Sequence, residues 1–421
     1  MGKTMAEQIF SWKNGRYARA GDIVIADVDL VMFHDGNRPL PLDLLAEMGV
    51  DRVHDPGRYV LVLDHYPSPN ETVAEVHKQM RQFAREQGCL LYEVGAGISH
   101  QLLMENGHVL PGSLIIGADS HTCTYGALGA FGTGVGSSDV AAALATGKLW
   151  FRVPETLRFH CRGELPPGVF ARDLILYIIG RMGIGGAAYM AVEFGGEAIS
   201  RMGMDGRFTI ANMAVEMGAK AGLIATDATT EAYVGQRARQ SWLPVVPDPD
   251  ACYAEVIDLD VSRLKPLVAL PHQVDQVQPV SELTSVNVQQ VVIGTCTAAR
   301  VDDLAIAARI LAGRRVSPEV RCYVIPSSRQ VLRDATSQGI IQTLLDAGVI
   351  LGVPGCSGCV GGAHFAVPAA GENVVTTANR NFLGRLGNSK ASLYLASPAT
   401  AAASSLTGYL TDPRPYLEGK S

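Results

Sequence analysis

Three cysteines on short, glycine-containing turns are the residues of this sequence best suited to hold a metal group. Cys356 and Cys359 form a Cys-x-x-Cys pair in the stretch PGCSGC, and Cys296 lies in the stretch GTCT. Sulfur ligands converge on one ion or cluster only where the backbone bends freely, and glycine supplies that freedom. Taken alone, the pair also fits a redox dithiol, half of a zinc site or two buried small hydrophobic residues. A thioredoxin-like dithiol would follow the first strand of a small domain, whereas this pair comes late in the chain, so its context favours a cluster.

Histidines and aspartates follow several strand-like apolar runs in the first third of the chain. Asp64 and His65 follow the run YVLVL, His100 ends the segment YEVGAGISH, and Asp119 and His121 follow LIIG. Ligands of open α/β sheets gather beyond the carboxyl ends of strands. A single histidine is more often structural, but several such strand ends predict one shared cleft.

A polar pair interrupts an otherwise apolar helical stretch at residues 210–216. Asn212 and Glu216 are four residues apart, so a helix would place both on one face. Such pairs usually mark a solvated face. Their neighbours here are mostly methionine, alanine and valine, which favours a functional polar stripe on a buried helix.

Composition limits the class of protein. The chain has 421 residues, 18% of them charged, with 45 glycines and a net charge of -6, which suits a compact α/β enzyme and gives no basic surface for nucleic acid. Its eight cysteines are scattered, as in a cytoplasmic protein with reduced thiols. The sequence has no run of about 20 apolar residues, so we expect no membrane span. Small molecules are the expected partners.

Alternating strand-like and helical segments predict an α/β fold in more than one domain. We predict a first α/β domain at 1–153, a second with a proline-rich linker at 154–285, and a third carrying the cluster cysteines at 286–421. Within the first, residues 21–32 are predicted as one half-buried strand and residues 71–87 as an amphipathic helix.

Four motifs in order, DSHT, GTCT, CSGC and NRNFLGR, are similar to those of the aconitase superfamily. Within it the chain resembles, almost end to end, the family of 3-isopropylmalate dehydratase large subunits. The resemblance implies three-layer αβα domains of the aconitase type, domains 1–3 without the swivelling fourth domain. It also implies one [4Fe–4S] cluster per chain, with Cys296, Cys356 and Cys359 as ligands and one iron without a protein ligand.

The implied activity is that of a hydro-lyase that isomerises a 2-substituted malate by dehydration and rehydration. The first candidate is the 3-isopropylmalate/2-isopropylmalate pair of leucine biosynthesis. The alternatives are the same chemistry on homoaconitate, 2-methylmalate/citraconate or dimethylmalate, and a non-catalytic iron or redox sensor. A structural zinc protein, with three thiolates and one histidine, is a further alternative.

The resemblance also assigns roles by position. Asp64 and His65 match the pair that protonates the leaving hydroxyl, and His100, Asp119 and His121 match residues that hydrogen-bond water and hydroxyl in the cleft. The other assignments are Ser120 and Arg38 as substrate-binding residues, Asn212 and Glu216 as the second-domain pair, Asn379 beside the cluster, and Arg380 and Arg385 on substrate carboxylate.

One part of the family's site is not matched by this sequence. Single-chain aconitases carry a serine base and a further arginine on a fourth domain, and this sequence ends after its third. We therefore expect a separate small subunit, in a heterodimer, and poor turnover by the isolated chain. The residues after Cys296 read Thr297-Ala298-Ala299 where the family usually has an asparagine, which bears on the choice of substrate.

Overall fold

The computed structural model describes residues 2–37, 39–67, 70–356, 358–359 and 365–417. Arg38, predicted to bind substrate, lies outside the described residues. None of the described helices is long and apolar enough to cross a bilayer.

A five-stranded parallel sheet organises the first third of the chain. Its strands are β2 (Leu30–His34), β3 (Tyr59–Val62), β4 (Leu90–Tyr92), β5 (Leu114–Gly117) and β6 (Phe131–Gly134), in the order β4-β3-β2-β5-β6. A separate antiparallel ribbon pairs β1 (Ile23–Asp27) with β7 (Lys148–Arg152). The helices of this part are α1 (Met5–Asn14), α2 (Leu40–Glu47), α3 (Glu71–Gln87), α4 (Ser99–Glu105) and α5 (Ser137–Thr146). Strands β2, β3 and β5 are buried along their whole length, as parallel strands between helical layers are.

Helix α3 begins and ends as the sequence predicts. The side chain of Asn70 accepts a hydrogen bond from the Val73 amide at its start, and Gly88 adopts φ 78° at its end. The predicted strand 21–32 is wrong, because it is split into β1 and β2, which belong to different sheets. Asp29 lies at the break, where its carboxylate accepts the Leu114 amide at 2.7 Å and pairs with Lys13.

A four-stranded parallel sheet follows in the middle of the chain. Its strands are β8 (Thr156–Arg162), β9 (Ala191–Gly195), β10 (Ala221–Ile224) and β11 (Glu255–Asp260), in the order β10-β9-β8-β11. Its helices are α6 (Ala171–Met182), α7 (Glu197–Ser200), α8 (Met204–Asn212) and α9 (Ala228–Gly235). The single helix predicted at 210–216 is wrong, since α8 ends at Asn212 and a 3-10 helix, Met213–Met217, continues. The Asn212 carbonyl accepts the Cys123 thiol at 3.2 Å, which competes with a continued α-helical bond.

The third sheet has seven strands. These are β12 (Leu267–Ala269), β13 (Val277–Pro279), β14 (Gln290–Ile293), β15 (Arg321–Val324), β16 (Ile350–Leu351), β17 (Asn373–Thr376) and β18 (Ser392–Ala396), in the order β13-β12-β18-β17-β14-β15-β16. Strands β18 to β16 run parallel, and β12 and β13 add an antiparallel edge. The helices are α10 (Val301–Leu311), α11 (Arg329–Ser337), α12 (Ile340–Asp346), α13 (Pro398–Thr407) and α14 (Arg414–Leu417).

The predicted domain limits agree only in part with the boundaries of the three sheets. The limit at 154 falls two residues before β8, whereas the third sheet already begins at Leu267, within the stretch predicted as a linker. The division into domains stays a prediction. The α/β class with layered, mainly parallel sheets is confirmed.

Candidate active site

The carboxyl ends of three neighbouring strands of the first sheet carry the titratable groups. His34 is the last residue of β2, Asp64 and His65 follow β3, and Asp119 follows β5. Because β2 pairs with both β3 and β5, these side chains meet at one edge of the sheet. The strand ends predicted to share one site thus bring these side chains together, and the role of the site stays a prediction.

Asp64 and His65 form a short carboxylate–imidazole pair. Asp64 Oδ1 lies 2.6 Å from His65 Nδ1, and Asp64 Oδ2 accepts the Ser99 amide at 2.7 Å. Burial would raise the pKa of Asp64, but the charge and hydrogen bond of His65 outweigh it and lower that pKa. Burial would likewise lower the pKa of His65, but Asp64 raises it to about 10. The pair therefore holds a proton on His65 at neutral pH.

Asp119 is the centre of a second group of imidazoles. It accepts His100 Nε2 at 3.0 Å, His34 Nε2 at 3.2 Å and the His121 amide at 2.7 Å. Burial alone would raise the pKa of Asp119, but His100 and the other hydrogen bonds bring it well below its usual range. Asp119 is thus a permanent anion that fixes several rings at the cleft.

Glu216 connects this group to the second and third parts of the chain. His121 Nε2 lies 2.7 Å from Glu216 Oε1, and Arg380 Nε lies 2.9 and 3.0 Å from the two carboxylate oxygens. Burial favours the neutral carboxyl, yet His121 and Arg380 lower the pKa of Glu216. Burial would lower the pKa of His121, but its bonds to the Asp119 and Glu216 carboxylates raise that pKa. Ser120 is only loosely joined, with its Oγ 3.4 Å from His121 Nδ1.

A pocket of about 290 Å³ opens beside Glu216 and Arg380. Ile184, Val274 and Phe382 supply apolar wall to it, and the Phe382 side chain is 48% exposed. Arg380 bonds to Glu216 through Nε, and the two terminal nitrogens of its planar guanidinium can donate to a further acceptor. His272, Gln273 and Asn381 complete the lining, so the pocket combines apolar side chains with polar groups and one guanidinium.

The three predicted ligand cysteines come together beside these groups. With Ile98 they form a buried cluster in which no thiol is more than 5% exposed. The Cys356 amide donates to the Asp64 carbonyl at 2.8 Å, which joins the Cys-x-x-Cys turn to the Asp64–His65 pair. Gly355 adopts φ 158°, and a Cβ there would lie 2.9 Å from the same carbonyl. Only glycine allows this approach.

Hydrogen-bond donors surround the sulfurs. Asn212 Nδ2 and Asn379 Nδ2 donate to Cys296 Sγ at 3.2 and 3.3 Å, and Arg385 Nη2 donates to Cys359 Sγ at 2.7 Å. A hydrogen bond from the Cys356 thiol, together with Arg385, holds the pKa of Cys359 well below its usual range against the effect of burial. Arg385 thus contacts the Cys359 sulfur, and its predicted role in substrate binding stays a prediction.

This donor set fits an iron–sulfur cluster. Thiolate-bound clusters are stabilised by amide and guanidinium donors at their sulfurs. The buried Asn212 Oδ1 and Arg385 Nε have no hydrogen-bond partner among the described residues, so both have free capacity at the position where a cluster and substrate would lie. A closed zinc site would need a fourth thiolate or imidazole, whereas the groups that donate to these sulfurs are amides and a guanidinium, and the Cys359 thiol itself donates to Asn379 Oδ1 at 3.6 Å.

Three residues at the site were not predicted from the sequence. The His34 ring stacks on the His65 ring with centroids 3.9 Å apart, and Asp35 accepts the amides of residues 64–66. The fully buried Arg300 donates Nη2 to the Cys296 carbonyl at 2.8 Å. His34 and Asp35 stand at the carboxyl end of a strand-like run, which was the available signal. No sequence pattern marked Arg300, because its contact depends on the conformation of the loop between Cys296 and Arg300.

The chain is similar over its length to proteins of one known family. The family model described as "Aconitase family (aconitate hydratase)" matches residues 7–286 and 281–408. The chain is 51% identical to the protein named 3-isopropylmalate dehydratase large subunit 1 of Methanopyrus kandleri, over 99% of this chain and 100% of the relative. It is 49% identical to the 3-isopropylmalate dehydratase large subunit of Moorella thermoacetica, over 99% and 100%.

A relative with a different name is as similar. The probable methanogen homoaconitase large subunit of Methanosarcina mazei is 51% identical, over 93% of this chain and 100% of the relative. Among solved structures, the holo-form of Thermococcus kodakaraensis aconitase X matches with a TM-score of 0.50 and 12% identity, over 85% of this chain and 84% of that one. That likeness concerns the fold alone. The family match and the full-length relatives confirm the predicted hydro-lyase class and show that this chain belongs to the aconitase family.

Proposed function

We propose that this chain is the cluster-bearing large subunit of a hydro-lyase that interconverts 2- and 3-isopropylmalate in leucine biosynthesis. The observation that carries the proposal is the direct contact between the cysteine turn and the proton-carrying pair, where the Cys356 amide meets the Asp64 carbonyl. Two relatives at 51% and 49% identity carry the 3-isopropylmalate dehydratase name over nearly the full length.

Cys296, Cys356 and Cys359 would hold one [4Fe–4S] cluster, with Asn212, Asn379 and Arg385 stabilising the sulfur charge. A cluster with one iron lacking a protein ligand supplies a Lewis acid that weakens the C–O bond of the substrate. Burial of the thiols keeps water from the ligand sulfurs. Because free thiols are required, the proposal includes a reducing, cytoplasmic location.

The chain's own residues bind the acid and move the proton. Arg380 would bind a substrate carboxylate through its outer guanidinium edge while Glu216 fixes its plane. His65, kept protonated by Asp64, would give its proton to the leaving hydroxyl, so that water departs as the C–O bond breaks. Asp119 with His100 would hold the departing water for the return addition at the neighbouring carbon.

The base that takes the proton from that neighbouring carbon would belong to a small subunit. The names of the full-length relatives, which are large subunits, support such a partner. Two apolar residues beside the cleft are exposed, Phe382 at 48% and Leu383 at 59%. They offer a contact surface to the small subunit. We expect the isolated chain to bind iron and to turn over poorly.

The same chemistry on a homoaconitate-type acid is the second candidate, and the Methanosarcina mazei relative supports it. The apolar wall formed by Ile184, Val274 and Phe382 favours an alkyl substituent over one that ends in a carboxylate.

The test is an anaerobic assay of the chain co-purified with its small subunit, in which alkene absorbance is followed for 3-isopropylmalate, 2-methylmalate, dimethylmalate and homocitrate. The highest kcat/KM on isopropylmalate supports the proposal. A preference for homocitrate would instead establish the second candidate, and absence of turnover on all acids by a cluster-loaded complex would overturn the hydro-lyase assignment for this substrate class.

A further inference from the structure

A fully buried carboxylate lies behind the proton-carrying pair and has no role in the proposed chemistry. Asp35, the residue after β2, is 1% exposed. Its Oδ1 accepts the amides of Asp64 at 3.2 Å and His65 at 3.0 Å, and its Oδ2 accepts the Tyr66 amide at 3.2 Å. The ring of His77, itself 1% exposed, donates Nε2 to Oδ2 at 2.9 Å.

These four donors converge on both oxygens of one side chain. Consecutive backbone amides that point at one acceptor bind an anion, and here the anion is part of the chain. Both side-chain oxygens of an aspartate can accept these donors, whereas an amide side chain would offer one accepting oxygen and would turn its own N–H groups towards the Tyr66 amide and His77. The arrangement thus requires two accepting oxygens at this position.

The same contacts determine where the His65 ring lies. Asp35 Oδ1 is 3.8 Å from His65 Nδ1, the atom that Asp64 holds at 2.6 Å. On the other side, His34 stacks on His65 with ring planes 14° apart. The backbone of residues 64–66 lies in a loop after β3, where helix or sheet bonds do not fix it. Asp35 supplies the missing backbone partners.

We propose that Asp35, backed by His77, is a positioning residue that fixes the loop of residues 64–66 so that His65 presents its proton to the substrate. The inference rests on the proposed function for His65. It assigns no contact with substrate to Asp35, which acts only through the loop. Misplacement of a proton donor by about 1 Å lowers rates by on the order of a hundredfold.

The test uses Asp35→Asn in the holoenzyme complex, with Asp55→Asn as the matched control. Asp55 also accepts a backbone amide, that of Gly57, in the same part of the chain, but its side chain is 45% exposed. We expect Asp35→Asn to lower kcat roughly tenfold to a hundredfold with KM within about threefold of the wild type. Amide hydrogen exchange in a peptide containing residues 64–66 should become faster, while the control changes neither quantity.

Unchanged kcat together with unchanged exchange at residues 64–66 would overturn the proposal. If Asp35→Asn does not fold, His77→Gln, which keeps a donor for Asp35 Oδ2, replaces it. Its kcat should fall less than tenfold, with a smaller rise in exchange, and equal exchange in this variant and the wild type would contradict the role of His77. Hydrogen exchange is measured whether or not the complex turns over, so failure of the proposed function is distinguishable from failure of this inference.

Discussion

The imidazole rings of His34 and His65 stack with centroids 3.9 Å apart and planes 14° from parallel. His34 accepts the Gly36 amide at Nδ1 and therefore donates from Nε2 to Asp119. His65 is bound to Asp64 through Nδ1. The stack thus places two carboxylate–imidazole pairs from neighbouring strands in contact, and the Cys356 amide bonds to the carbonyl of Asp64 in one of them.

Replacing a ligand cysteine should remove the metal without unfolding the chain. Cys359→Ser leaves Arg385 without its thiolate partner and removes one of three ligands. After anaerobic reconstitution we expect about four iron atoms per wild-type chain and loss of most of that iron in the variant. Iron and sulfide analysis measures this, and Cys252→Ser, at an exposed cysteine, is the control. Equal iron in Cys359→Ser and the wild type would rule out Cys359 as a ligand.

The Asp64–His65 pair predicts an unusual pH dependence. Asp64 raises the pKa of His65 to about 10, so the acid stays protonated through neutral pH and is lost only as the pH approaches that value. Asp64→Asn should lower kcat by roughly 10²- to 10⁴-fold and move the alkaline limb of the kcat profile to lower pH. A pH–rate profile measures both. His160→Gln, on the distant strand β8, is the control. An alkaline limb at the same pH in Asp64→Asn would contradict the pairing.

The same pair links stability to pH. The raised pKa of His65 means that its contribution to the free energy of unfolding is complete below the unfolded value near 6.5 and is lost as the pH rises through about 10. Urea denaturation of the cluster-free wild type and of His65→Gln should therefore converge at high pH. If the difference in the free energy of unfolding between the two proteins grows as the pH rises, the predicted direction of the pH dependence is wrong.

Arg380 should act mainly on substrate binding. Arg380→Lys keeps the charge but loses the planar edge, and a hydrogen bond to a charged group contributes about 1.5–3 kcal/mol, so KM should rise roughly tenfold to a hundredfold. Steady-state kinetics with isopropylmalate measures this change in KM. Arg321→Lys, at an ion pair with Glu372 in the third sheet, is the matched control and should leave KM unchanged.

The apolar pocket beside Arg380 should affect substrate choice. Ile184→Lys places an ammonium group on the wall that Val274 and Phe382 complete. We expect kcat/KM for isopropylmalate to fall and the value for homocitrate to rise relative to it, because a charge favours a second carboxylate over an alkyl group. Leu345→Lys, on helix α12, tests for general effects of a new surface charge. An unchanged ratio in Ile184→Lys would show that this wall does not contact the substituent.

Much of the site could be predicted because strand ends are visible in the sequence. Apolar runs followed by Asp64, His65 and Asp119 indicate where parallel strands end, and parallel strand ends share one edge of a sheet. The three cysteines were recognisable by their glycine-rich turns. Their convergence depends on contacts between distant segments, such as that of Cys356 with Asp64, which no local pattern encodes.

The wrongly predicted strand has its cause in contacts between segments that are distant in sequence. The break between β1 and β2 depends on Asp29, whose partners Leu114 and Lys13 are tertiary. The substrate-binding role of Arg385 stays a prediction, and its contact with Cys359 was not visible from spacing because a guanidinium binds a thiolate as well as a carboxylate. The position of Asp35 after a strand-like run was visible in the sequence, but its bonds to the amides of residues 64–66 depend on the pairing of β2 with β3.

The central claim is that the three thiols hold a cluster with one iron open to substrate. Mössbauer spectroscopy of the ⁵⁷Fe-reconstituted complex, before and after addition of isopropylmalate, tests it most directly. The account predicts that about a quarter of the iron signal shifts on addition while the rest is unchanged. A spectrum without cluster iron, or one in which isopropylmalate shifts no iron signal, would contradict it.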